Sequence, residues 1–578
     1  MLFTLTLVVL AILPQVVPAA TRPHVYLPLV QVPGSDLVLD GLELIQTTQT
    51  AAGDLPLAAQ RATIARIYLR SVPVSAASAA SVEIHATRNG LALPGSPIRI
   101  NRYAVPATSS RSNYGSSLNV PLPLAWVSGT VDLEVRVDPE DRIKEPDETN
   151  NTLTLRQQFR ELAPLRITLV PIDYIHLPSG QRYAPIARDP ISGWIRRALP
   201  TPTVDVQLRT PYRFSGDLRS GNEWVRLLEE VTALKQFDDA ADTEIYYALV
   251  SAPGADWTKG GIIGIAWIGL RVGVGLDMQN DEYTGQVALH EIGHTFGRYH
   301  APCPAQGIAP DSVDWRFPYA DGSIGATTIG LDQMNALLWR ANEPDRARDV
   351  MSYCSPAWLS DYTYRAFFDV LRADHNLRAA FYDDALTLRL LRGTDGSLTL
   401  RPIYRMPGSA MITAPGAETA YLELLDAVGG LLARHTVQLV EVEQPHAHRA
   451  DVAIQHDITT GTQLLLARLP MPQANIAAIR LLQAGRPAVT FDMAPAAKQG
   501  EGIQLELAYD GRTATLRWAP ATTPLLVRAV SAATRPTLGF DLQGGEAQFD
   551  ALLLPPGTVA LEVVAAGAAP QELPLPSE

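Results

Sequence analysis

The chain has 578 residues, too many for one globular domain and enough for about three to five. Apolar residues make up 47% and charged residues 19%, the balance of a chain that buries cores rather than one that stays disordered. The formal net charge of −13 argues against nucleic acid or an anionic membrane surface as partner. Residues 1–17 are nearly all apolar, and Pro18-Ala19-Ala20 then offers small residues suited to cleavage, so residues 1–20 read as a signal peptide. No Lys or Arg precedes Arg22, which leaves an uncleaved anchor as the alternative. No later apolar run is long enough to cross a bilayer, so no membrane span is expected after signal removal. Arg far outnumbers Lys, which occurs only at 144, 235, 259 and 498, and Ala, Pro and Leu abound; this points to a bacterial protein, secreted or on the cell surface.

Residues 21–37 are rich in Pro and Val and read as a linker. From 38 to 160 short β-branched and apolar runs alternate with polar turns. Residues 62–69 and 82–86 are such runs, and Val131-Asp132-Leu133-Glu134-Val135-Arg136-Val137 alternates strictly, as a half-buried strand does. The segment reads as a β-sandwich. It closes on an acidic loop, Asp138-Pro139-Glu140-Asp141-Arg142-Ile143-Lys144-Glu145-Pro146-Asp147-Glu148-Thr149-Asn150-Asn151. That loop resembles the end of the CARDB-type Ig-like modules of bacterial surface proteins. Asp138, Asp141, Asp147 and Glu148 offer oxygen ligands for a Ca²⁺ ion, with a solvated hairpin connection as the alternative.

Residues 165–172, 204–208 and 243–250 read as strands. Residues 222–237 have helical spacing, with Trp224, Leu227, Leu228, Val231 and Leu234 on one face. Then comes His290-Glu291-Ile292-Gly293-His294-Thr295-Phe296-Gly297-Arg298-Tyr299-His300. On a helix over 284–296, His290 and His294 are i and i+4 and leave the same face. Gly297 can take backbone angles other residues avoid, so the helix can end there and return His300 as a third ligand. Three imidazoles holding one Zn²⁺ leave the fourth position to water, the arrangement of a catalytic site, and Glu291 can take that water's proton. Downstream lies Asp349-Val350-Met351-Ser352-Tyr353-Cys354.

Together the two motifs resemble the metzincin family of zinc endopeptidases, over residues 165–378. The resemblance implies that Met351 packs beneath the three histidines without binding metal. It implies that Tyr353, two places after the methionine, can approach the zinc or the developing oxyanion; a Tyr packed in the turn is the alternative. It also implies that a strand upstream of the zinc helix, for which residues 262–268 are the candidate, pairs with extended substrate. The loop-rich stretch 301–348, with Asp311, Asp314, Trp315, Tyr319 and Asp321, is expected to shape one wall of the cleft. Cys303 follows the third ligand by three residues and Cys354 follows Met351 by three; in an exported chain they are expected to form a disulfide, unpaired buried thiols being the alternative. Residues 360–371 read as the last helix of this unit.

Short strands resume at 385. Residues 385–495 and 500–578 read as two further β-sandwiches, with a linker near 493–497. His446-Ala447-His448 has the look of a metal pair but sits in a polar stretch and reads as a solvated loop. The expected architecture is therefore multidomain: an α+β metzincin-type zinc protease domain flanked by all-β Ig-like sandwich domains. The expected function is a secreted zinc-dependent endopeptidase acting on protein or peptide substrates, through a zinc-bound water activated by Glu291. A surface scaffold with a vestigial metal site and a cell-wall peptide amidase remain as alternatives, and the sequence leaves oligomeric state open.

Overall fold

The computed structural model describes residues 36–72, 79–251, 262–304, 313–341, 346–377, 380–410, 418–442, 462–493 and 503–575. The signal peptide, most of the 21–37 linker, Asp311, the His446–His448 pair and nearly all of the 493–497 linker lie outside them. Strand accounts for 47% of the described residues and helix for 13%, so this part of the molecule is mostly β. Among the described residues no helix is long and apolar enough to cross a membrane.

The first unit is a two-layer β-sandwich, as read from the sequence. One sheet orders Asp36–Ile45, Ile64–Val72 and Leu118–Pro121. The other is built on Thr152–Arg160, Thr130–Val137 and Ala79–Arg88. In Thr130–Val137, residues Val131, Leu133, Val135 and Val137 turn inward to a core shared with Leu37, Leu69, Ile84 and Trp126, while Asp132, Glu134 and Arg136 turn out. The acidic loop is stapled to its own backbone. Asp138 accepts from the Ile143 N–H at 2.7 Å, Asp147 from that of Thr149 at 2.9 Å and Glu148 from that of Glu145 at 3.1 Å. These contacts are those of a hairpin connection that holds itself together through its own backbone donors.

The central unit is built on Leu165–His176, a 12-residue strand that pairs in parallel with Val204–Leu208 and Tyr212–Gly216 on one edge and with Ile245–Ser251 on the other. Ile245–Ser251 runs parallel to Val272–Asp277, and the short strand Gly264–Ala266 closes that side of the sheet antiparallel. Both faces are covered, so these strands are near-continuous apolar runs. Helix α2 (Gly221–Phe237) lies on one face through Trp224, Leu227, Leu228, Val231 and Leu234. Helices α1 (Ser192–Ala198), α3 (Asp281–Thr295) and α4 (Asp361–His375) lie on the other, through Ile195, Leu289, Ile292 and Phe367. Helix α1 has seven residues, too short to show a period in the sequence, and was not anticipated.

Residues 301–348 are where the sequence reading needs correction. Strands Thr328–Asp332 and Leu337–Arg340 form a hairpin, and Thr48–Thr50 of the first unit adds to it as a third strand. Ile45 and Ile64 pack on Ile329, Leu331 and Leu338. The hairpin thus docks on the first unit, where its apolar face is buried. The same seam holds Arg61, whose guanidinium donates to the carbonyls of Thr201 (2.9 Å), Arg196 (3.1 Å) and Arg197 (3.2 Å) and to the Thr47 hydroxyl (2.8 Å). Burial pulls its pKa down to about 10. Arg61→Ala strands those carbonyls at and just beyond the end of α1 and is expected to cost about 3 kcal/mol, read as a lowered midpoint in urea unfolding.

The strands of 385–495 also differ from expectation. They bond into one eight-stranded sheet, in which Phe381–Arg392 and Gln463–Pro470 are central, rather than into two facing sheets. One face carries the local core of Leu386, Leu388, Leu422, Leu439 and Leu465. The other turns Leu391, Leu464 and Leu466 onto α2 and the central sheet, so the strands are apolar on both sides. Residues 503–575 do form two sheets, of three and four strands, around Trp518, Leu525, Phe549 and Leu561. The Arg389–Asp541 ion pair ties the two C-terminal parts to each other, and the Arg401–Glu229 ion pair, the Arg209 guanidinium donating to Thr537 O, and the cluster of Phe237, Tyr404, Leu526 and Val564 join them to the central unit.

Candidate metal centre

Helix α3 starts three residues earlier than the sequence reading. The Asn280 side chain accepts from the Tyr283 N–H, and Asp281 and Glu282 stand in the first turn, where the helix dipole favours negative charge. Its C-terminal end is capped by Arg271, which donates to the Thr295 carbonyl at 2.9 Å while pairing with Asp374 of α4. Gly297 then takes φ +80°, the left-handed region, and the chain turns back. The peptide that follows His300 is pinned at both its polar groups, by Ala301 N–H to Met351 O (2.9 Å) and by Asp314 N–H to His300 O (2.8 Å).

That turn brings the three imidazoles together. Ring centroids are 4.9 Å apart for His290–His294, 5.3 Å for His290–His300 and 4.7 Å for His294–His300, and one nitrogen of each lies within 4.8 Å of the others. It is the one cluster of three or more potential ligands among the described residues. His290 Nδ1 donates to Val350 O and His294 Nδ1 to Arg298 O, both at 2.7 Å. A carbonyl can only accept, so in the neutral rings each Nε2 is left as a lone-pair donor to metal. Those two Nε2 atoms face each other at 3.1 Å. Two nitrogens on one tetrahedral zinc would be about 3.3 Å apart, so the pair is spaced for a shared cation. Carbonyl partners on the far nitrogens are the outer contacts that orient metal-binding histidines. The residues therefore fit Zn²⁺.

Glu291 is 2% exposed and lies against the edge strand Gly264–Ala266. A Cβ on Gly264 would overlap the Glu291 carboxylate and sit 2.8 Å from its Cγ. The missing side chain is what lets the carboxylate occupy that position beside His290. Gly264→Ala should displace it and reduce turnover about tenfold or more at unchanged zinc content; equal kcat would show that Glu291 has room to spare.

The turn at Met351 sits where the resemblance implies. Met351 is 1% exposed, and a Cβ on Gly293 would strike its sulfur, so the absence of a side chain at 293 admits the thioether beneath the helix turn between His290 and His294. Asp349 holds the turn: its carboxylate accepts from Met351 N–H at 2.8 Å and Ser360 N–H at 2.9 Å, and burial pushes its pKa up. The Tyr353 hydroxyl is 2.8 Å from His300 Nε2, so its side chain stands against the histidine triad. Cys303 and Cys354 form the disulfide, Cα to Cα 5.6 Å, across the loop that returns from His300.

A cavity of about 150 Å³ opens beside the triad, lined by Tyr283, Gln286, Val287, Glu291, Tyr353 and Ser355 among others. Tyr283 and Gln286 were missed by sequence reading. Their signal was spacing: 283, 286, 287 and 290 share one helix face once the start of α3 is placed at Asp281. A cavity of about 170 Å³ near Leu270, His435 and Arg468 contains none of the triad.

Residues 77–155 match the CARDB family, so the first sandwich carries a CARDB domain, an Ig-like module. No curated protein matches the chain. Among solved structures, a CARDB domain from Pyrococcus furiosus in complex with di-metal ions is 13% identical, with 23% of this chain and 93% of that one covered at a TM-score of 0.16. A β-glucuronidase from Parabacteroides merdae, with glycerol in its active site, is 9% identical, with 94% of this chain and 77% of that one covered, again at 0.16. Likenesses this slight bear on neither the metal centre nor the activity.

Proposed function

We propose that the chain is a secreted zinc-dependent peptidase of the metzincin kind, hydrolysing peptide bonds at the site formed by His290, His294, His300 and Glu291. The observation that carries this reading is the convergence of three imidazoles, two of them with Nδ1 tied to carbonyls, beside a buried carboxylate on the same helix. When bound, zinc supplies a Lewis acid that polarises a carbonyl and makes water acidic. Glu291 accepts the proton of the attacking water and returns it to the leaving amine. Gly264 gives Glu291 the space to do so, and the edge strand offers its backbone to an extended chain. Tyr353 donates a hydrogen bond to the substrate oxygen as it gains charge. The adjoining cavity, with Tyr283 and Gln286, receives a substrate side chain.

The direct test is zinc analysis of the purified chain together with casein cleavage, with and without chelator. Bound zinc and chelator-sensitive cleavage are expected. A zinc-loaded chain that leaves casein intact and instead releases cell-wall peptide, or does neither, would remove the reading. Tyr353→Phe separates a catalytic tyrosine from a structural one: kcat should fall about tenfold or more while KM holds, and an unchanged kcat would return Tyr353 to packing.

A further inference from the structure

The edge strand that borders the metal centre is blocked at one end by the chain's own C-terminal sheet. Trp267 N–H donates to Val272 O and Leu276 N–H to Ile263 O, so residues 263, 265 and 267 point their backbone groups inward to the sheet. Alternation then points those of Gly264, Ala266 and Ile268 outward, along the line a substrate strand would take. Gly264 lies at Glu291, and therefore at the reacting bond. Four residues on, Ile268 N–H donates to Glu441 O at 3.0 Å, and Trp267 forms an antiparallel bridge with Val442. Val440, Val442 and Leu464 are buried in one core with Trp267, Ile265 and α2, so this docking is part of the packed interior. The end of strand Leu431–Glu441 thus occupies the same edge, in line with the substrate and beyond it.

We infer that this edge accepts chains by their amino-terminal end, so that the enzyme releases short N-terminal peptides instead of cutting within long segments, as the family resemblance had led one to expect. The inference rests on the peptidase reading given above. An antiparallel ladder is the more stable pairing, and this edge already supports one with Val442. A substrate in that sense places the residues before its reacting bond against Ala266 and Trp267. Pairing residue for residue from Gly264 leaves about two or three of them before Val442 is met. On the other side of the reacting bond, the cavity lined by Tyr283 and Gln286 opens toward the N-terminal part of α3, away from this block.

The test uses the full chain loaded with zinc and unfolded β-casein as probe, with products identified by mass spectrometry at early times. Expected are peptides of two or three residues released from existing N-termini at least tenfold faster than any internal cut. Internal cuts at comparable rates, or trimming from the C-terminal end, would overturn the inference while leaving the peptidase reading intact. No cleavage of any kind would overturn the peptidase reading itself. In a second arm, Val442→Asp places a charge in the docking core and lifts the blocking strand. In variant protein that still releases N-terminal peptides, internal cleavage should rise at least tenfold relative to N-terminal release, and an unchanged ratio would overturn the inference.

Discussion

Glu291→Gln is expected to retain zinc and to lose about 10³-fold in kcat. Glutamine has the same shape, and Glu291 sits in a tight place against Gly264, so His290 and His294 should keep their carbonyl partners at Val350 and Arg298 and His300 its contact with the Tyr353 hydroxyl. What disappears is a group able to accept a proton. His294→Ala should behave differently, losing zinc and activity together, because it removes one of two nitrogens that face each other at 3.1 Å. Measuring metal content and casein hydrolysis on both variants distinguishes base from ligand. Full activity in Glu291→Gln would mean that the proton is carried by another group.

The second large effect is expected at the disulfide. It closes a loop of 51 residues, and in the chain-entropy account its removal costs about 4 kcal/mol. The loop runs from just beyond His300 to just beyond Tyr353, so it encloses the hairpin docked on the first sandwich and the turn that carries Met351. The Cys303→Ser/Cys354→Ser double variant should unfold at markedly lower denaturant. It should also bind zinc about tenfold more weakly, since His300 is then held mainly by the Ala301 and Asp314 backbone contacts. A variant with unchanged denaturation midpoint would show that the neighbouring packing already restricts the unfolded loop as strongly as the bond does.

The histidine triad could be read in the sequence because its geometry is local. Helix pitch alone puts His290 and His294 on one face, and a glycine at 297 is the residue that turns the chain back within three positions to His300. The CARDB strands were legible for a similar reason, since alternation along Thr130–Val137 is set by the pleat. The cysteine pair was legible because the chain has only two, each three residues after a residue of one of the two motifs.

Pairings between distant segments were not legible. Nothing in Thr48–Thr50 announces that it will join Thr328–Asp332, nor in Val442 that it will meet Trp267. Such contacts are made by backbone N–H and C=O groups that every residue carries, so the side-chain sequence does not encode the partner. Only burial of the surrounding apolar faces selects it. The sequence by itself determined which residues can hold a metal and which carboxylate stands beside them. The tertiary structure decided that Gly264 makes room for that carboxylate, that Arg61 and the Thr328–Asp332 hairpin fasten the first sandwich to the central unit, and that the C-terminal sheet lies across one end of the edge strand. The physical reason is that local spacing fixes helix faces and turns, whereas domain docking is settled by which apolar surfaces remain to be covered once those elements have formed.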